Sequence, residues 1–236
     1  MKNIIKNTLN AVADFLFPSH CFYCSRTVTD GAVICRDCYK EIEKITENVC
    51  DKCGRAVGGC DCKRFVYHFS GVTAPFKNEG IAKTGLYSLK FAGNTACVDF
   101  YAYHMVKRLI SREEDNVFNV ITYVPMSPLR RARRGYNQAE LLAKAVGKRL
   151  NLKVRGDLLR RTVFSKTQHK KVNVAERFEN AYKSYRRTGK RIHGRVLLID
   201  DIKTSGASLE ACSRELMYAG ADEVFCLTAL LSDKNS

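Results

Sequence analysis

Asp200 and Asp201 stand side by side directly after the aliphatic run Val196-Leu-Leu-Ile199, and the turn Thr204-Ser-Gly-Ala-Ser208 follows them. Two adjacent carboxylates accept hydrogen bonds from sugar hydroxyls or reach Mg²⁺ through water. The turn offers hydroxyls and backbone N–H groups just ahead of a helical pattern, Leu209–Met217, which Gly220 closes. A helix N-terminus of this kind holds a phosphate. An acid pair by itself reads as a solvated turn, but joined to this turn it suits a sugar phosphate.

Cysteine is the second residue type with chemistry in its spacing. Eight of the eleven lie between Cys21 and Cys62, as Cys21-x₂-Cys24, Cys35-x₂-Cys38, Cys50-x₂-Cys53 and Cys60-x-Cys62. Each short spacing turns two thiolates toward one tetrahedral ion, so four consecutive pairs predict two zinc sites. Cys21, Cys24, Cys35 and Cys38 form the first set, and Cys50, Cys53, Cys60 and Cys62 the second. A disulfide framework is the alternative. Met1 to Phe17, however, lacks a continuous apolar run and a small-residue cleavage site, so reduced thiols and a cytoplasmic location are expected. Cys97, Cys212 and Cys226 sit alone in apolar segments and read as small core residues.

The formal net charge of +16 is concentrated. Arg130 to Arg195 holds twenty-one Lys or Arg against four acids, a local net of +17, which implies an anionic partner: several phosphates on a small ligand, or a nucleic-acid backbone. At its start, Met126-Ser127-Pro-Leu leads from Val124-Pro125 into Arg130-Arg131-Ala-Arg-Arg134-Gly. A guanidinium forks onto two phosphate oxygens and stays charged, so Arg131 and Arg134 suit paired phosphates. Gly135 lets the chain turn sharply before a helix that starts at Asn137. Further on, Arg160, Arg161, Gln168, His169, Arg177 and Asn180 form a donor-rich set such as a lid over an anion needs.

These residues need a scaffold. Val196–Ile199 and Asn119–Val124 are short, aliphatic and β-branched, as strands covered on both faces are. The pattern further predicts a strand over Phe65 to Phe76, helices over Ile81–Lys90, through Arg112 and over Asn137–Asn151, and a last strand at Glu223–Leu231. Strands alternating with helices give a parallel sheet, which binds ligands beyond the carboxyl ends of its strands. Arg160 to Arg191 lacks periodicity and is long for a bare loop, which points to a lid or a short hood. Ile5, Leu9, Val12 and Leu16 make residues 1–18 an amphipathic helix stopped by Pro18, one that packs on the rest of the protein. Residues 19–64 then form the zinc module and 65–236 the main domain. No apolar span reaches twenty residues, so no transmembrane segment is expected.

Asp200-Asp-Ile-Lys203-Thr-Ser-Gly-Ala-Ser208 resembles the phosphoribosyl pyrophosphate (PRPP) signature of type I phosphoribosyltransferases, with Ser205 and Ser208 keeping the hydroxyl where Thr is usual. The Cys pairs, Leu-Lys-Phe-x-Gly, Val-Pro before Arg-x₂-Arg-Gly-Tyr-Asn-Gln, and Arg-x₆-Gln-x₈-Arg-x₂-Asn extend the likeness over nearly the whole chain. Together they resemble the ComF-type competence proteins, double-zinc-ribbon phosphoribosyltransferase-like proteins, with Tyr136 where Phe is more usual. The resemblance implies a type I phosphoribosyltransferase sheet that binds Mg²⁺·PRPP. Its 5′-phosphate would lie on Thr204, Ser205, Gly206, Ala207 and Ser208 after Lys203, its ribose on Asp200 and Asp201, and its pyrophosphate toward Met126, Ser127, Arg131 and Arg134. Arg160, Arg161, Gln168 and Arg177 would be the lid. It also implies handling of single-stranded DNA in competence, with helicase-type partners. The alternative is an active phosphoribosyltransferase, whose acceptor the sequence does not name.

Overall fold

The computed structural model describes residues 19–232 apart from 30–31, 47–48, 61, 63–65, 92, 94, 113–116 and 163–172. The expected helix over 1–18, and Gln168 and His169, lie outside the described residues.

The chain begins with a two-stranded antiparallel hairpin, β1 (Ser19–His20) and β2 (Thr27–Val28), followed by α1 (Arg36–Lys40). Next come β3 (Gly71–Thr73), β4 (Phe76–Lys77), α2 (Gly80–Phe91), α3 (Cys97–Ile110) and β5 (Val120–Tyr123). After α4 (Pro128–Arg134) and α5 (Gln138–Leu150), β6 (Leu159–Arg161) and β7 (Tyr185–Arg187) pair antiparallel around α6 (Val174–Ser184). The chain then closes with β8 (Arg195–Lys203), α7 (Ala207–Tyr218) and β9 (Glu223–Leu231).

The main sheet runs in the order β3-β9-β8-β5, with β4 also on β9, and every pairing in it is parallel. Its two faces explain the unbroken aliphatic run in β8. Leu197 and Ile199 pack with Leu86, Tyr101, Met105, Leu142 and Val146 of α2, α3 and α5. Val196 and Leu198 point the other way, into Leu209, Cys212 and Leu216 of α7. Alternate residues of a strand face opposite sides, so a strand covered twice must be apolar at every position. The three isolated cysteines, Cys97, Cys212 and Cys226, are each 0% exposed, as expected of small core residues.

One expectation needs correction. The strand expected over Phe65 to Phe76 is instead two short pieces, β3 and β4, separated by Ala74-Pro75. Pro75 lacks the N–H a continuous ladder needs, and the alternation read from the sequence comes partly from Tyr67 and Phe69, which stack on each other at 4.6 Å outside any strand. The basic stretch Arg160 to Arg191 is, where described, a small layer of β6, α6 and β7, with Ala181 and Tyr185 in the core on the α7 side.

Because Leu197 is fully buried between helices and strands, Leu197→Ala should lower stability by about 2–5 kcal/mol in urea unfolding followed by far-UV circular dichroism.

Candidate functional site

β5 ends at Tyr123, opposite Ile199, whereas β8 continues along β9 to the pair Lys203 and Leu231. Asp200 and Asp201 therefore lie inside the strand but beyond its neighbour on one side, and a crevice of about 400 Å³ opens there. Asp200, Asp201, Thr204 and Ser208 line it from the β8 side, Met126, Arg130 and Arg134 from the segment after β5, and Arg161 and Tyr185 from the β6–β7 layer. Two strand ends and the hood thus converge on one cavity.

The acid pair is anchored locally. Asp200 Oδ1 accepts from the N–H of Asp201 at 2.9 Å, and Asp201 Oδ1 accepts from the N–H of Ile202 at 2.8 Å. Burial, and then the adjacent Asp201 carboxylate, push Asp200 well above the ordinary carboxylate range. A cation or a set of hydroxyl donors relieves that cost. The turn after it reaches Gly206, whose φ of 84° is left-handed, and Ser205 Oγ accepts from Ala207 N, the first N–H of α7, at 3.3 Å. The next backbone N–H groups of a helix start suit an anion. Tyr185 Oη donates to Ser208 Oγ at 3.3 Å, which ties the hood to this turn.

The opposite wall is arginine-rich. Ser127 accepts from the N–H of Arg130 at 3.4 Å and so caps α4, while Gly135, with φ 84°, ends it in a left-handed turn. Arg134 Nη1 donates to Gln138 Oε1 at 3.0 Å. A second crevice of about 300 Å³, lined by Lys90, Gly93, Arg130, Arg133, Arg134 and Tyr136, adjoins the first through the shared Lys90, Arg130 and Arg134.

Several residues named from the sequence lie elsewhere. Arg131 pairs with Glu140 at 2.9 Å and does not line the crevice. Burial opposes ionisation of Glu140, yet Lys144 and Arg131 outweigh it and hold the carboxyl below its usual range. Lys203 is 1% exposed, beneath the turn rather than in the cavity. Burial, and secondarily Arg55, lower its ammonium to about 8, while the Cys53 and Cys62 thiols act in the opposite direction. Arg160 is exposed on β6, and Arg177 sits on α6; neither lines the crevice.

Other lining residues had no role assigned from sequence: Asn78, Tyr87, Lys90, Asn137 and Gln138. Asn137 and Gln138 are 4% and 1% exposed. Asn137 Nδ2 donates to Val124 O at 3.0 Å, and its Oδ1 caps α5 by accepting from Ala139 N at 3.1 Å. Two amides opening a helix directly after an arginine cluster were the available signal.

The cysteines fall into the two sets that the spacing predicts. Within each, one sulfur per residue lies within 4.8 Å of all the others, with Cys24–Cys35 at 3.8 Å and Cys50–Cys62 and Cys53–Cys60 at 3.7 Å. Such separations fit four thiolates around one zinc at about 2.3 Å. Burial works against ionising Cys21, but backbone hydrogen bonds from Cys24, Cys35 and Tyr23 overcome it and lower that thiol to about 6. Cys50 is likewise lowered to about 7, against burial, chiefly by a backbone hydrogen bond from Cys53. The first set packs on the sheet domain through Phe22 and Tyr39, whose rings lie 5.9 and 6.2 Å from Phe100.

Residues 12–66 match the double zinc ribbon domain family. A double zinc ribbon joined to a parallel α/β sheet is the class that fold and sites define. Over most of its length the chain is a homologue of ComF-type competence proteins. It is 29% identical over 200 residues to competence protein ComFC of Streptococcus pneumoniae, covering 83% of this chain and 86% of that protein. To competence protein ComFC of Bacillus subtilis it is 26% identical over 199 residues, 79% of each. Among solved structures, adenine phosphoribosyltransferase of Thermoanaerobacter pseudethanolicus aligns with a TM-score of 0.34 and 14% identity, covering 60% of this chain and 83% of that one. The PRPP amidotransferase of B. subtilis gives 0.36 and 17% identity over 55% of this chain, which spans only 25% of the amidotransferase chain. Among the described residues, no helix is long and apolar enough to cross a membrane.

Two outcomes follow from this geometry. The purified protein should carry two zinc ions per chain by elemental mass spectrometry, and Cys24→Ser and Cys60→Ser should each remove one. Asp200→Asn should raise the melting temperature near neutral pH, because the folded state no longer ionises a buried carboxyl. A raised carboxyl pKa makes the parent lose stability as pH rises above the ordinary carboxylate range, so the difference should shrink toward about pH 5, at about 2–4 °C per kcal/mol. Melting curves across that range check it.

Proposed function

We propose that the crevice binds a phosphoribosyl group as Mg²⁺·PRPP, and that the contiguous arginine-lined crevice takes a single-stranded nucleic acid in a competence-type DNA-handling role. The observation that carries the reading is the meeting of an acid pair and a hydroxyl-bearing helix start with Arg130 and Arg134 across one cavity. Asp200 and Asp201 accept from the ribose hydroxyls and reach Mg²⁺ through water. Thr204 to Ser208 take the 5′-phosphate, and Arg130 and Arg134 face the pyrophosphate. Lys90, Arg133 and Tyr136 continue the basic surface into the second crevice, with an aromatic ring on which a base can stack. The homologues' name, competence protein, agrees with that assignment.

A second reading is phosphoribosyl transfer. Tyr87 and Tyr185 line the same cavity as the acid pair, which gives a planar acceptor two aromatic neighbours. In that reaction the bond from ribose C1 to the pyrophosphate oxygen breaks, the acceptor's lone pair forms the new bond at C1, and pyrophosphate leaves with the electron pair toward Arg130 and Arg134.

Calorimetry with Mg²⁺·PRPP and titration of labelled single-stranded DNA on one preparation test both. Asp200→Asn with Asp201→Asn should abolish PRPP binding. Log affinity for the strand should fall with log salt by about 0.7 per phosphate neutralised, and Arg130→Ala, Arg133→Ala and Arg134→Ala together should flatten that slope by about 2. PRPP binding without salt-dependent DNA binding would leave the transferase reading ahead. Failure to bind PRPP would remove both.

A further inference from the structure

The turn that carries the hydroxyls does not rest on the sheet alone. Its underside meets the second cysteine knuckle. Cys50 N donates to Arg55 O at 2.7 Å and Gly54 N to Cys50 O at 2.8 Å, so the turn that aims Cys50 and Cys53 also fixes the backbone of Arg55. Arg55 is 6% exposed, and its Nη2 donates to Thr204 O at 3.4 Å, the first residue of the turn. Gly54 has φ 72°, and a Cβ there would lie 2.8 Å from both Leu231 Cδ1 and Val72 O, so the knuckle's backbone sits directly against β3 and β9. Leu231 is the β9 partner of Lys203, whose Cε lies 3.4 Å from where a Cβ on Gly206 would be. Asp51, inside the same knuckle, pairs with Arg112, and Lys52 Nζ donates to Phe69 O. One chain of contacts therefore runs from the Cys50–Cys53 pair through Arg55 and Lys203 to the turn.

We propose that the second Cys₄ site sets the position of the anion-binding turn, with Arg55 as the positioning residue, so that zinc retention there and phosphate-ester binding in the crevice are coupled. The first site packs against α2 and α3, and among the described residues no such route leads from it. The ligand half of the proposal rests on the sugar-phosphate reading above, while the mechanical half does not. Coupling is reciprocal by linkage: what holds the turn for the ligand makes the ligand hold the metal.

The test is hydrogen–deuterium exchange over residues 203–209 of the full chain, with zinc content and ribose 5-phosphate affinity measured on the same samples. Arg55→Met keeps all eight cysteines and should retain two zinc ions, yet speed exchange in the turn and weaken ribose 5-phosphate, each on the order of tenfold for one lost hydrogen bond from a charged donor. Arg55→Lys keeps a donor and should recover part of both. Cys60→Ser should give the same loosened turn with one zinc remaining, whereas Cys24→Ser should lose one zinc and leave the turn unchanged. Saturating ribose 5-phosphate should slow removal of one of the two zinc ions by a chelator several-fold in the parent and not in Arg55→Met. Equal exchange in the parent, Arg55→Met and Cys60→Ser overturns the proposal. If Cys60→Ser fails to fold, Arg55→Met decides. Faster exchange in a protein whose parent never binds ribose 5-phosphate removes the sugar-phosphate reading and leaves the mechanical link standing. Binding without zinc protection overturns the reciprocal half.

Discussion

The molecule depends on β8 being paired along its full length on one side and only part of it on the other. Val196 to Ile199 lie between β9 and β5, and the sheet buries them so completely that every one of these side chains must be apolar. Once β5 stops at Tyr123, the same strand can turn carboxylates toward solvent without leaving the β9 ladder. Carboxylates on a rigid strand are held more firmly than on a loop, and their desolvation cost is borne by the core around Leu197 and Ile199. Remove that asymmetry of pairing and there is neither crevice nor acid pair at its wall.

Around this strand the domain is tied by a few buried polar contacts. Glu210, 0% exposed in the first turn of α7, accepts from His68 N at 2.7 Å and from Tyr182 Oη at 3.1 Å, and its carboxylate meets His68 Nδ1 at 2.5 Å. It thereby joins the segment before β3, the hood helix α6 and the helix that opens on the Thr204–Ser208 turn. Arg214 lies 4.0 Å over the ring of that same Tyr182. The hood is thus fastened to the element it overhangs.

Much of this was legible in the sequence because its causes are local. Period and composition reveal doubly covered strands, paired cysteines reveal tetrahedral sites, and a polar turn between strand and helix marks the ligand end of a sheet. What was not legible depends on contacts distant in sequence. Arg131 and Arg134 look equivalent as text, yet the turn at Gly135 folds α5 against α4 so that Glu140 lies beside the first and Gln138 beside the second. Lys203 reads as an exposed cation in a signature, yet it is 1% exposed and near Arg55, which stands 148 positions earlier in the chain. The short β3 and β4 were blurred by Tyr67 and Phe69, whose apolar character serves ring stacking rather than a ladder.

The ribbon segment also finishes the sheet. Ile45 N donates to Pro75 O at 2.9 Å, Lys77 N to Glu43 O at 3.0 Å, and Lys44 bridges Phe76 antiparallel, so residues 43–45 occupy the outer rim of β4. An open rim of unpaired N–H and C=O groups is a template for another chain. The stretch that fills it is strung between Cys38 and Cys50, one ligand from each metal set. Apo protein released by a chelator would therefore offer a sticky edge, and its characteristic failure would be self-association at the β4 side before loss of the sheet itself.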